Sequence, residues 1–354
     1  MIRVLLIDDS PIALHILQRL LSRAPDIQVT GTAANGKEAL DLLPALKPDV
    51  ICTDLHMPVM DGLEFTRAVM NKFPCPILVV SVSVEPGTLN VFRMLEAGAV
   101  DVYPKPCGIL EADQEKQARE FASKIRIVAG VHVFRRAGAV MRAPLPHPLP
   151  PHAPMRIVVI GASTGGPQAL REILSHLPAG FPVPVMCVQH IGTSFLSEMV
   201  AWLAEVSLLP VRKAAQGEVP QAGVVYFAPE DTHLKLDDGG RFDLSQTPPC
   251  DGHRPSITVT MRAAARRFGA SAVGVLLTGM GRDGAEGLAD IAAAGGVTIA
   301  QDEASSVVYG MPREAVVLGA VQHVVPLEQI APALAALAIR RNGMGTAPSR
   351  KELT

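Results

Sequence analysis

Residues 143–154 read APLPHPLPPHAP, six prolines in twelve positions. Proline fixes φ and lacks an amide donor, so such a stretch enters neither a sheet nor a helix interior. It predicts a semi-rigid, polyproline-like linker with a separately folding half on either side. The alternative, a long loop inside one domain, runs against the rarity of structureless loops of that length. The 354-residue length agrees with roughly 150 residues per domain. At 48% hydrophobic and 19% charged residues, each half has apolar side chains enough for a core. Lys and Arg total 32 against 34 Asp and Glu, a net charge of −2, which excludes a protein built to coat nucleic acid or an anionic membrane surface. No apolar run approaches the roughly 18 residues of a spanning helix, and MIRVLLIDDS is unlike a secretory signal. Cys52, Cys75, Cys107, Cys187 and Cys250 form no CxxC pair. They read as reduced thiols of a cytoplasmic protein, neither a disulfide frame nor a zinc site.

Both halves alternate short apolar runs with helix-period segments. Strands are expected at 2–7, 49–53, 76–82 and 99–103, then at 156–160, 183–188, 224–228, 272–277 and 297–300. Ser10-Pro11 is a helix start, with Ile12, Ile16 and Leu20 as the expected apolar face. Residues 111–130 read as a charged terminal helix of the first half. Residues 233–244, with Asp-Asp-Gly-Gly in the middle, read as a β-hairpin. The βαβ rhythm implies parallel sheets covered by helices on both faces. In such sheets function gathers in loops at the carboxyl ends of strands.

In the first half Asp8 and Asp9, Asp54, Ser81 and Lys105 all fall at expected strand ends. Clustered carboxylates repel unless a cation joins them, and a hard divalent ion such as Mg²⁺ suits one or two carboxylates, a carbonyl and waters. A lysine opposite offers a point charge to a phosphoryl group. The bland alternative is a set of solvated strand-end caps. LLIDDS, TDLHMPVMDG and YPKP resemble the receiver domain of bacterial two-component response regulators. The resemblance implies that a histidine kinase phosphorylates Asp54. It implies that Asp9, Asp54 and the His56 carbonyl bind Mg²⁺, with Asp8 acting through water, and that Ser81 and Lys105 contact the phosphoryl oxygens. It also implies a cis Lys105–Pro106 bond. Where such domains carry an aromatic switch residue this chain has Val102, with Tyr103 pointing to the opposite face, so any aromatic rotation is weak or absent.

In the second half Gly161-Ala162-Ser163-Thr164-Gly165 follows an expected strand and precedes a helix carrying Leu170, Ile173, Leu174 and Leu177 on one face. Strand, GxSxG and helix is the setting of an exposed nucleophilic serine, with helix-start amides available to an oxyanion. A dinucleotide loop is the competing reading, but the second glycine of GxGxxG is Ser163 here, and Gln189-His190 rather than an acidic residue ends the next strand; a phosphate-binding helix start stays open as the alternative. His190 is therefore the candidate base, with His233 and His253 in reserve. Asp283, in the turn Thr278–Gly284, is the candidate orienting carboxylate, unless it serves only as the cap of the following helix.

IGASTGGPQAL, VQHI, APEDTHLKL, HRPSITV, LLTGMGRDGAEGL and QDEASSVVYGMPREAV together resemble the catalytic domain of CheB chemotaxis methylesterases. The resemblance implies a triad of Ser163, His190 and Asp283, with an oxyanion hole formed by backbone amides of Thr164 and Met280 and no cofactor in the esterase half. This chain has Thr258 where the family usually has an aspartate. The expected fold is α/β: two doubly wound parallel-sheet domains, a flavodoxin-like receiver and a Rossmann-like esterase domain with a hairpin insertion. Expected bounds are 1–125 for the receiver, 126–154 for the linker, 155–342 for the catalytic domain and 343–354 for a flexible tail. The implied activity is phosphorylation-activated demethylation of chemoreceptor glutamate methyl esters, with glutamine deamidation beside it, the unphosphorylated receiver restraining the esterase. The implied partners are a chemotaxis histidine kinase and the cytoplasmic helices of a chemoreceptor, without nucleic acid or membrane insertion. A non-enzymatic phospho-switch and an esterase of a non-motility sensory array are the alternatives.

Overall fold

The computed structural model describes residues 1–82, 90–106, 111–131 and 153–339. The Pro-rich stretch up to residue 152, Cys107 and the tail 343–354 lie outside the described residues. Contacts group the chain into two units, Met1–Val140 with Ile191–Trp202, and Met141–His190 with Leu203–Thr354.

The first sheet is built from β1 (Ile2–Ile7), β2 (Ile27–Ala33), β3 (Val50–Thr53), β4 (Ile77–Ser81) and β5 (Asp101–Pro104). Its order is β2-β1-β3-β4-β5, with every pairing parallel. That is the flavodoxin-like order, in which the chain reverses direction across the sheet between β1 and β3. The helices are α1 (Pro11–Leu21), α2 (Gly36–Leu46), α3 (Gly62–Lys72), α4 (Asn90–Ala97) and α5 (Glu111–Ala129). β1, β3 and β4 are almost wholly buried, as strands covered on both faces must be. Ser10 caps α1 by accepting from the Ala13 amide.

Two expectations need correction here. The face α1 buries is Leu17, Leu20 and Leu21, while Ile12 is 73% exposed. The helix carries two overlapping apolar stripes, and spacing alone does not choose between them. The cis peptide bond among the described residues is Arg254–Pro255; Lys105–Pro106 is trans, the intrinsically preferred isomer. Val102 is buried, and Tyr103 turns the other way to pack its ring 5.0 Å from that of Phe121 on α5.

After residue 153 the chain forms β6 (Ile157–Ala162), α6 (Gly166–His176), β7 (Val185–Gln189), α7 (Leu196–Val206), β8 (Val211–Lys213) and β9 (Val225–Phe227). The hairpin β10 (His233–Leu236) and β11 (Phe242–Ser245) comes next, followed by α8 (Ile257–Phe268) and β12 (Ala272–Leu276). The unit ends with α9 (Ala285–Ala293), β13 (Val297–Gln301), α10 (Met311–Val317), β14 (His323–Val325) and α11 (Leu327–Ile339). The seven-stranded sheet runs β14-β13-β12-β6-β7-β9-β8, again parallel throughout. The chain enters at central β6, moves outward through β7, then crosses back to place β12 on the other side of β6. The switch point therefore lies at the carboxyl end of β6. Leu170, Ile173, Leu174 and Leu177 are all fully buried.

Candidate functional site

In the first unit the ends of β1, β3 and β5 converge. Lys105 Nζ lies 2.7 Å from Asp8 Oδ2 and 2.7 Å from Asp54 Oδ2. Carboxylate oxygens of Asp8, Asp9 and Asp54 all lie within 4.8 Å of one another. Asp8 and Asp54 are buried and Asp9 is exposed. Burial pushes the Asp8 carboxyl above its ordinary value despite Lys105 beside it. For Lys105, burial alone would favour the neutral amine, but its bonds to Asp54 and Asp8 outweigh that and hold the ammonium above its usual range. Three carboxylates against one lysine leave the cluster short of positive charge, which suits a hard cation. Ser81 is buried at the end of β4, its hydroxyl donating to the Val82 carbonyl 3.2 Å away, and its own carbonyl accepts from the Lys105 amide at 2.8 Å. His56 follows on the loop after β3 with an exposed side chain.

In the second unit Ser163 and His190 begin where neighbouring strands stop, with Ala162 of β6 level with Gln189 of β7. Ser163 N donates to the Thr278 carbonyl and His190 N to the Ala162 carbonyl, each at 3.0 Å. His190 Nε2 is 3.0 Å from Asp283 Oδ2. His190 Nδ1 is buried and makes no hydrogen bond among the described residues, and no bond joins it to the Ser163 hydroxyl. Catalytic contacts are often loose before substrate arrives.

Asp283 is not the cap of the helix that follows it. It sits on the amino end of α8, where Oδ1 accepts from Ser256 Oγ at 2.8 Å and from Thr258 N at 2.9 Å, and Oδ2 from Ile257 N at 2.8 Å. The positive end of that helix complements a carboxylate. Burial alone would raise its pKa, but the hydrogen bond and charge of His190 and the amides of Thr258 and Ile257 outweigh it and hold the carboxyl well below the usual range. An ionised carboxylate only accepts, so Nε2 carries the proton and Nδ1 is left as the basic atom.

Sequence reasoning passed over several residues that build this site. Gln189 donates to the carbonyls of Ser163 (2.8 Å) and His190 (2.9 Å), tying the serine turn to the end of β7. Thr278 Oγ1 donates to the Thr164 carbonyl at 2.9 Å and accepts from Val308 N at 2.9 Å, locking the serine turn to a distant loop. Thr258, the departure from the usual aspartate, accepts from Gly284 N through Oγ1 at 2.8 Å and steadies the Asp283 turn. His233 is buried with both ring nitrogens engaged, to Ser256 N and the Pro248 carbonyl, so it is a structural residue and no reserve base. A Cβ on Gly279 would lie 2.6 Å from Ser163 Cβ, so the loop bearing Met280 passes directly over the serine. The Met280 amide makes no hydrogen bond among the described residues.

The CheB methylesterase family model matches residues 158–334, and the response regulator receiver domain model matches residues 4–114. The chain belongs to the CheB methylesterase family. A protein-glutamate methylesterase/protein-glutamine glutaminase of Nitrosospira multiformis is 46% identical over 351 residues, spanning 96% of this chain and 98% of that protein. A Methanospirillum hungatei protein of the same description is 44% identical over 353 residues, spanning 96% of this chain and 99% of its own length. The crystal structure of the Thermotoga maritima CheB methylesterase catalytic domain covers 52% of this chain and 98% of its own at 38% identity, with a TM-score of 0.51. Both relatives match this chain across its receiver and its CheB esterase region alike, and no described helix is long and apolar enough to cross a membrane.

Proposed function

We propose that the chain hydrolyses the γ-methyl esters of chemoreceptor glutamates, and deamidates receptor glutamines, under control of phosphorylation at Asp54. The observation that carries the esterase reading is the His190–Asp283 pair, with a buried, unpartnered Nδ1 one strand away from Ser163. Ser163 Oγ attacks the ester carbonyl and its proton passes to His190 Nδ1. Asp283 holds Nε2–H and stabilises the imidazolium. Collapse of the tetrahedral intermediate returns that proton to departing methanol, or to ammonia from a glutamine, and water then releases the acyl-enzyme. The amides of Thr164 and Met280 would receive the oxyanion. The atom facing the carboxylate is Nε2 and the atom left for serine is Nδ1, the reverse of the serine-protease template.

In the receiver, Asp9, Asp54 and the His56 carbonyl would hold Mg²⁺, with Asp8 behind them. When bound there, Mg²⁺ would supply positive charge that offsets the repulsion between these carboxylates and an incoming phosphoryl group. Lys105 and Ser81 would meet its oxygens. We take 1–125 as receiver and 155–342 as catalytic domain, joined by 126–154 and followed by a tail. A chemotaxis histidine kinase is the phosphodonor, the cytoplasmic helices of a chemoreceptor are the substrate, and the cytoplasm is the compartment. The test is methanol release from a methylated receptor by the Ser163→Ala protein. A folded variant should lose about 10³-fold or more of turnover, and near-normal turnover would remove Ser163 from the mechanism.

A further inference from the structure

One ring remains unaccounted for beside the base. The imidazole of His253 lies face to face with that of His190, centroids 3.8 Å apart and planes within 10°. His253 is set rigidly. It closes a two-residue turn with Cys250, their backbones exchanging hydrogen bonds of 2.9 and 3.1 Å across Asp251 and Gly252, both at positive φ. That turn is moored to the Asp283 loop, since Asp251 pairs with Arg282 at 3.3 Å.

A single hydrogen bond from Nε2 to Asp283 fixes one edge of the His190 ring but leaves it free to roll about that bond. A flat ring against one face removes the roll. We propose that His253 is a positioning residue for the esterase reaction: by stacking on His190 it fixes the plane of the general base, and with it the direction in which Nδ1 meets the Ser163 hydroxyl. The charged and titratable groups facing His253 are His190, Asp283 and Asp251, with Arg282 beyond Asp251. Burial first, and the charge of His190 second, lower the His253 pKa to about 4, against smaller opposing effects of the two aspartates. The stacked ring is therefore neutral at neutral pH, where a second imidazolium would repel the one formed on His190 during acylation.

The inference rests on the triad reading, so its test includes a control for that reading. Full-length protein carrying His253→Leu, His253→Phe or His190→Ala is assayed for methanol release from methylated receptor membranes with saturating phosphodonor. Fold is checked by thermal midpoint. His253→Leu should lose about tenfold or more in kcat, the scale of a misaligned catalytic group, while KM stays within about twofold because substrate binding is untouched. His253→Phe restores a flat face and should recover most of that kcat. Unchanged kcat in His253→Leu, equal impairment of the Leu and Phe variants, or a rise in KM alone would each overturn the proposal. If His253→Leu does not fold, His253→Asn supplies the same ring-free comparison. Turnover surviving His190→Ala would remove the triad itself. Turnover lost in His190→Ala but intact in His253→Leu would remove only the stacking role.

Discussion

Asp283 shows how much one side chain does in this fold. Four donors converge on it: Ser256 Oγ, the amides of Ile257 and Thr258, and His190 Nε2. An asparagine has one acceptor oxygen, so its NH₂ would face two of those donors. We expect Asp283→Asn to cost about 1–3 kcal/mol at pH 7, the scale of unsatisfied buried polar groups, besides most of the activity. The folded carboxyl has its pKa held below the unfolded value. Its stabilisation is therefore present above the unfolded value of about 3.9 and is lost as pH falls through that value toward the folded one. Denaturant midpoints of the second unit should differ between wild type and Asp283→Asn at pH 7 and converge in acid; equal midpoints at pH 7 would contradict this. The places of Ser163 and His190 at neighbouring strand ends, and of Asp283 in the turn after β12, were legible from the sequence because each ends a strand or follows its turn. The true seat of Asp283 was not, because the amino end of α8 reaches it from another part of the chain.

Among the elements, the buried strands were readable as apolar runs, and the hairpin β10–β11 from Asp-Asp-Gly-Gly between them. β2, β8 and β14 were not. Residues 27–33 read IQVTGTA, with only the two ends buried, and β8 and β14 are three-residue edge strands. An edge strand lacks the continuous apolar signal that double coverage imposes. α1 gave the opposite difficulty, an excess of apolar positions. Its buried face gives a direct check. Leu17→Ala should cost about 2–4 kcal/mol in the unfolding transition of the first unit, whereas Ile12→Ala should change it by no more than about 0.5 kcal/mol. Equal effects would mean that the helix docks by its other stripe.

At the scale of the whole molecule, the two proposed chemistries belong to separate units, and the first should respond to a divalent cation. The Asp8 pKa is raised, so its charged form weakens the folded receiver at neutral pH. Mg²⁺ should offset that cost. At about 100-fold above its dissociation constant the receiver transition should gain roughly 2.7 kcal/mol, seen as a higher thermal midpoint that chelator reverses and Asp8→Asn diminishes. No shift with Mg²⁺ would contradict the acidic site. The central claim is that one chain joins a phosphoacceptor at Asp54 to a serine esterase at Ser163. The measurement that tests it most directly is methanol release from a methylated receptor by full-length protein, with and without a small phosphodonor and Mg²⁺, for wild type and Asp54→Asn. The account predicts that phosphodonor raises wild-type turnover and leaves Asp54→Asn at the resting rate. Equal turnover of the wild type with and without phosphodonor, or equal activation of the two proteins, would contradict it.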